Sequence, residues 1–72
     1  MGMENNVSLF SVGLNSIFGD KYLYANKAGI CEFYSIAPSD WQAVTFNSLE
    51  KAKQFVDKHY PNMASVYIFE KL

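Results

Sequence analysis

From Ser48 onward the apolar positions Leu49, Ala52, Phe55, Val56 and Tyr60 fall three and four apart, with Glu50, Lys51, Lys53, Gln54, Asp57 and Lys58 between them. That period predicts an amphipathic helix with one buried stripe. Asn47 and Ser48 can each cap its start, and Asn47 stands at capping-box spacing from Glu50. Lys58 and His59 complement the dipole in the last turn, and Pro61 cannot continue the helix. Boundaries near 48 and 60 follow.

The residues on either side change period from 3.6 to 2. Gln42 to Phe46 alternates, placing Val44 and Phe46 on one face, whereas Ser65 to Phe69 is apolar on both faces and needs two covers. Upstream, Lys21 to Asn26 and Ile30 to Ile36 flank Asn26-Lys27-Ala28-Gly29, which matches a three-residue hairpin loop with Gly29 in the left-handed position. This loop type sets the register: Asn26 opposes Ile30, Ala25 opposes Cys31, Tyr24 opposes Glu32, Leu23 opposes Phe33 and Tyr22 opposes Tyr34. Alternation then puts Leu23, Ala25, Cys31 and Phe33 on a core-like face, with Tyr22, Tyr24, Glu32 and Tyr34 on the other. Val7 to Leu14 reads as a further strand whose phase slips between Leu9 and Phe10, with a bulge as one explanation. Gly13 to Asp20 and Ala37 to Trp41 are linkers too short to divide domains.

These elements predict an α+β fold of order β-β-β-β-α-β: one domain over residues 1–72, an antiparallel sheet of four to five strands with one helix packed on one face. A single helix of about a dozen residues covers only one side of such a sheet. The other side carries Tyr22, Tyr24 and Tyr34, joined by either Tyr67 and Phe69 or Val66 and Ile68. Tyrosine suits an uncovered face because it offers apolar area with few rotors and a polar tip. The candidate binding residues are therefore Tyr22, Tyr24, Glu32, Tyr34, Trp41 and Tyr67.

Size sharpens this expectation. A chain of 72 residues buries only roughly 60% of its unfolded surface, so a partner or a second copy would stabilise it, and a homo-oligomer is expected. The lone Cys31 can form neither an internal disulfide nor a zinc site, which reads as a reducing, cytoplasmic setting. No apolar run is long enough to span a membrane and the start is not a signal peptide. Met1-Gly2 reads as an addition ahead of a native Met3, since Asn6 breaks the myristoylation pattern, and residues 1–6 are expected to lie outside the folded part.

Charge narrows the partner classes. Net charge is -1, and all six basic residues are lysines. Arginine's planar fork is the usual reader of phosphate and guanine edges, so duplex nucleic acid is not expected as a partner. Nor do the seven carboxylates, spread singly, imitate DNA.

No set of acid, base and nucleophile is visible, nor a metal-ligand cluster or phosphate loop, so no enzyme, cofactor or metal is expected. His59 is explained by its helix-end position. Cys31 falls on the core face, where packing accounts for it. Trp41, after Ala37-Pro38-Ser39-Asp40, admits two readings, a recognition tip or a ring folded over the core edge. The Asn6-Val7-Ser8 sequon is read as accidental.

The string Trp41, Val44-Thr45-Phe46-Asn47-Ser48-Leu49-Glu50-Lys51-Ala52, Phe55-Val56, closing with Val66-Tyr67-Ile68-Phe69-Glu70, resembles small orphan proteins of phages and prophages of low-GC Gram-positive bacteria. The resemblance covers roughly the last 50 residues and implies a setting rather than site residues. In that setting short proteins bind and inhibit host machinery, anti-CRISPR and other anti-defence proteins among them. The expected function is thus a non-enzymatic protein, acting in the host cytoplasm, that modulates a host protein by contact. The alternative is a module that stacks a nucleotide or single-stranded nucleic acid on its tyrosines.

Overall fold

The computed structural model describes residues 8–71; the segment 1–6, expected to lie outside the folded part, is not among them. Its elements are β1 (Leu9–Leu14), β2 (Lys21–Ala25), β3 (Cys31–Tyr34), β4 (Gln42–Ala43), β5 (Thr45–Phe46), α1 (Leu49–His59) and β6 (Val66–Lys71). The fold is α+β, one helix packed on an antiparallel sheet of six strands.

The β2–β3 hairpin has the expected register throughout, from Tyr22 opposite Tyr34 to Ala25 opposite Cys31. Its loop explains why. The Asn26 side-chain oxygen accepts from the backbone N–H of Ala28 at 2.9 Å and of Ile30 at 3.0 Å. Gly29 takes φ 85°, a conformation that costs residues with a Cβ.

β1 lies at the centre of the sheet. On one side it pairs with β6 over its whole length, from Leu9 opposite Lys71 to Leu14 opposite Val66. The pairing runs without a skipped residue, so the expected bulge near Leu9 is absent; Leu9 simply points to the face opposite the helix and stays partly exposed. On its other side β1 meets β2 only near their connecting loop, at Gly13–Tyr22 and Leu14–Lys21. Farther from that loop β1 pairs with β5, through Phe10–Phe46 and Ser11–Thr45, while β2 pairs with β4, through Tyr24–Ala43 and Ala25–Gln42.

All these pairings are antiparallel, so the chain must reverse between β4 and β5. Gln42 to Phe46 is therefore not one strand, as its alternation suggests, but a V driven into the open end of the β1–β2 hairpin. Val44 is the apex, its N–H donating to the Leu23 carbonyl at 3.0 Å. This division accounts for six strands where four to five are expected: the two neighbours diverge, and each half of the segment takes a different one.

α1 packs against β1, β5 and β6. Ser48, not Asn47, caps it: the Ser48 Oγ accepts from the Lys51 N–H at 3.0 Å. With the cap at Ser48, position N3 is Lys51 and no reciprocal capping box forms. At the other end the Tyr60 N–H donates to the Val56 carbonyl at 2.7 Å. Phe46 against Phe55 and Phe33 against Tyr60, at ring-centroid distances of 5.3 and 5.2 Å, tie helix to sheet. Among the described residues Val12, Leu23 and Ala52 form the fully buried apolar core. Cys31 is half-buried on the β2–β3 face shared with Phe33, and its thiol faces the Gly29 carbonyl at 3.9 Å.

Candidate binding site on the aromatic face

Register decides what the side opposite the helix carries. Ser11 opposes Phe69 and Gly13 opposes both Tyr67 and Tyr22, so Ser11, Gly13, Tyr67, Phe69 and Tyr22 share one face. Of the two pairs the sequence left open, Tyr67 and Phe69 are the ones on this side. Tyr24, Glu32 and Tyr34 follow through the hairpin. Two chains of rings result. Trp41 meets Tyr34 edge-on at 5.2 Å, and Tyr34 meets Tyr24 at 6.4 Å. Tyr22 meets Phe69 edge-on at 5.6 Å, and Phe69 meets Tyr67 at 5.6 Å.

All six residues chosen from the sequence thus belong to this side of the sheet or its margin. The five aromatic ones are half-buried, while Glu32 is exposed on edge strand β3. Trp41 is neither a projecting tip nor a lid on the helix-side core; its ring abuts Tyr34. Edge-to-face contacts of this kind hold rings in place at roughly 0.5–1.5 kcal/mol each, so the face is ordered before anything binds it.

Gly13 sits beneath Tyr67. A Cβ built there would lie 2.5 Å from the Tyr67 Cζ, so the absent side chain is what lets the ring lie flat on the strand. Burial, with the nearby Asp20 carboxylate and the Tyr22 phenol, pushes the Tyr67 phenol above its ordinary value.

Between the two ring chains lies a cavity of about 290 Å³, lined by Ser11, Tyr22, Leu23, Tyr24, Ala43, Phe69 and Lys71. It occupies the region where β1 and β2 part to admit the V. Ser11 is 5% exposed and its Oγ has no hydrogen-bond partner among the described residues. Sequence reasoning missed Ser11 and Lys71 as site residues and left Phe69 in one of two open pairs. The alternation Leu9, Ser11, Gly13 against Phe10, Val12, Leu14 carried the signal, since a serine and a glycine on one face of a central strand leave room above them.

A second feature was also missed. In the β1–β2 loop Ile17 and Phe18 are 93% and 87% exposed. The turn beneath them is firm, with the Gly19 N–H donating to the Ser16 carbonyl at 3.0 Å and the Phe18 N–H to the Ser16 Oγ at 3.1 Å. An apolar pair between turn-forming residues, Ser16 and Gly19-Asp20, was its mark in the sequence.

Among the described residues no group of three His, Cys, Asp or Glu side chains could hold a metal ion, and no helix is long and apolar enough to cross a membrane. Compared with known proteins, the chain matches no family model, no curated protein and no solved structure.

Proposed function

We propose that this chain is a non-enzymatic binding protein whose working surface is the aromatic side of its sheet, and that it acts by docking on a protein and modulating it. The observation that carries the reading is that the helix covers the other side, leaving Tyr22, Tyr24, Tyr34, Trp41, Tyr67 and Phe69 in two pre-ordered rows with no covering element among the described residues. Fixed rings lose little entropy on binding, and tyrosine and tryptophan are the residues that dominate protein contacts. The exposed Ile17-Phe18 turn supplies an apolar projection beside that surface. The likeness of residues 41–70 to small phage proteins is what points to host machinery, anti-defence targets included, as the partner. Self-association through the same face is the accompanying proposal.

The test compares proteins retained from lysate by the wild-type chain with those retained by Tyr24→Ala/Tyr34→Ala, a pair of half-exposed positions outside the buried core. A protein held by the wild type, lost with the variant and rebound in purified form supports the reading. Identical retention by both refutes it. Light scattering addresses the copy number: a mass of one chain at high concentration removes self-association and leaves docking intact.

A further inference from the structure

We infer that the cavity between the two ring rows is a ligand site for a planar nitrogen heterocycle bearing one anionic group, a nucleoside monophosphate being the class of molecule that presents both. The inference rests on the aromatic face as the working surface but not on docking to a protein.

Three features of the cavity argue for this chemistry. Tyr22, Tyr24 and Phe69 line it, and among the described residues the only charged one lining it is Lys71. Flat π surfaces select flat ligands, and stacking a base on such a ring is worth about 1–3 kcal/mol. Its floor includes Ser11, more than nine-tenths buried on β1, whose Oγ has no hydrogen-bond partner among the described residues and reaches the cavity by rotating about its Cα–Cβ bond to another staggered position. A buried hydroxyl left unpaired costs roughly 1–3 kcal/mol, and hydroxyls in this position are ordinarily paired. The serine both donates and accepts, so it suits the ring edge of a heterocycle, which a plain hydrocarbon ring does not supply. At the rim, Lys71 offers a single point charge, and the absence of arginine removes the bidentate fork that polyphosphate sites favour.

Volume sets the size of the occupant. About 290 Å³ is at the lower end of the ~300–1,000 Å³ typical of ligand pockets. One ring system with a short substituent fits; a dinucleotide or a run of single strand does not. Position adds a further constraint, since the site exists only because the Gln42–Phe46 V holds β1 and β2 apart, with Ala43 forming part of the lining. Hairpin strands paired along their whole length would leave no such gap.

The experiment is a calorimetric titration of the full chain with AMP, GMP, CMP and UMP, with ribose 5-phosphate as the anion lacking a ring and benzoate as the anionic ring lacking a hydrogen-bonding edge. Backbone amide shifts of Ser11, Tyr24 and Phe69 locate the site. At least one monophosphate is expected to bind saturably and tighter than either control. Ser11→Ala should weaken it about tenfold, the worth of one hydrogen bond, and Lys71→Met should weaken it and flatten its salt dependence. Ser11→Ala removes only an unsatisfied hydroxyl, so it keeps its fold, which melting confirms. Lack of saturable binding by every monophosphate overturns the assignment, the cavity then holding solvent only. So does equal binding of ribose 5-phosphate or benzoate, or unchanged affinity in folded Ser11→Ala. A protein captured through Tyr24 and Tyr34 while no monophosphate binds would uphold docking and reject this site; the reverse pair of results would uphold the site and reject docking.

Discussion

Gly13→Ala tests the packing of the aromatic face more directly than any ring deletion. Its backbone is extended and not in the left-handed region, so the strand itself tolerates alanine. The space above it does not. The new Cβ would stand 2.5 Å from the Tyr67 Cζ, 2.7 Å from its hydroxyl oxygen and 2.8 Å from Cε1, far inside the ~3.5–4.0 Å of carbon contacts. Relief requires the ring to swing away, which breaks its contact with Phe69. Overpacking of this kind costs about 1–3 kcal/mol, while replacing glycine in a strand interior returns about 0.5–1 kcal/mol. The net expectation is a loss of about 1–2 kcal/mol, a fall in Tm of about 5–15 °C for a domain of this size. Thermal melting of Gly13→Ala, Tyr67→Ala and the double variant closes a cycle. In the Tyr67→Ala background the same alanine should be neutral or stabilising. An equal loss in both backgrounds, or a rise in Tm when Tyr67 is present, would refute the claim that Gly13 serves the close approach of that ring.

Other positions test the remaining layers. Leu23→Ala empties a fully buried site and should cost about 2–5 kcal/mol by denaturant melting; a loss below that range would mean Leu23 is not a core residue. Ser48→Ala removes the helix cap and should cost about 1 kcal/mol, whereas Asn47→Ala should leave Tm unchanged; the opposite order would return the cap to Asn47. Alkaline titration reports Tyr60 and Tyr67, both raised above the phenol value of 10.0, Tyr60 by burial first and then by Cys31 and Glu32, Tyr67 by burial and then by Asp20 and Tyr22. A raised folded-state value means the native chain keeps a proton the unfolded chain releases, so this contribution is complete below 10 and is lost as pH climbs through the folded values. Tyr67→Phe should therefore lose stability less steeply than wild type above pH 10, and parallel slopes would discount Tyr67 as a contributor.

Local chemistry was legible wherever neighbours in sequence decide the outcome. The Asn26–Gly29 loop dictates its hairpin register because the Asn26 carbonyl oxygen and the left-handed Gly29 are both local, and the tyrosine face follows from that register alone. The helix followed from its own apolar period. What the sequence hid depends on strands meeting at long range. Gln42 to Phe46 alternates like one strand, and nothing in those five residues tells that β1 and β2 diverge around them. Leu9-Phe10 mimics a slipped phase because Leu9 is an apolar residue on the uncovered face, where periodicity alone assigns it to the core. Ser11 is hidden for a related reason: a serine in a strand carries no signal until its neighbours bury it and leave its hydroxyl without a partner among the described residues. Ile17 and Phe18 lie in a linker whose sequence does not tell packed apolar residues from projecting ones; the turn at Ser16 and Gly19 is what holds them out.

The V at Val44 links these omissions. Had Gln42 to Phe46 been one strand, it would have extended the sheet at an edge, and β1 and β2 would pair beyond Gly13 and Tyr22. Ser11 and Tyr24 would then lie on adjacent, closed strands, with no cavity between them. Because the chain instead reverses at Val44 and gives each of β1 and β2 two residues of pairing, their backbone groups are satisfied by hydrogen bonds to different arms while their side chains stand apart. Satisfying the backbone in this way removes the usual penalty for opening a hairpin, and the opening remains on the side that the helix does not cover. The rings of Tyr22, Tyr24 and Phe69 then line a recess in place of a flat sheet. A flat aromatic face selects only for apolar area; a recess with a hydroxyl at its base and an ammonium at its rim selects for shape and for charge as well.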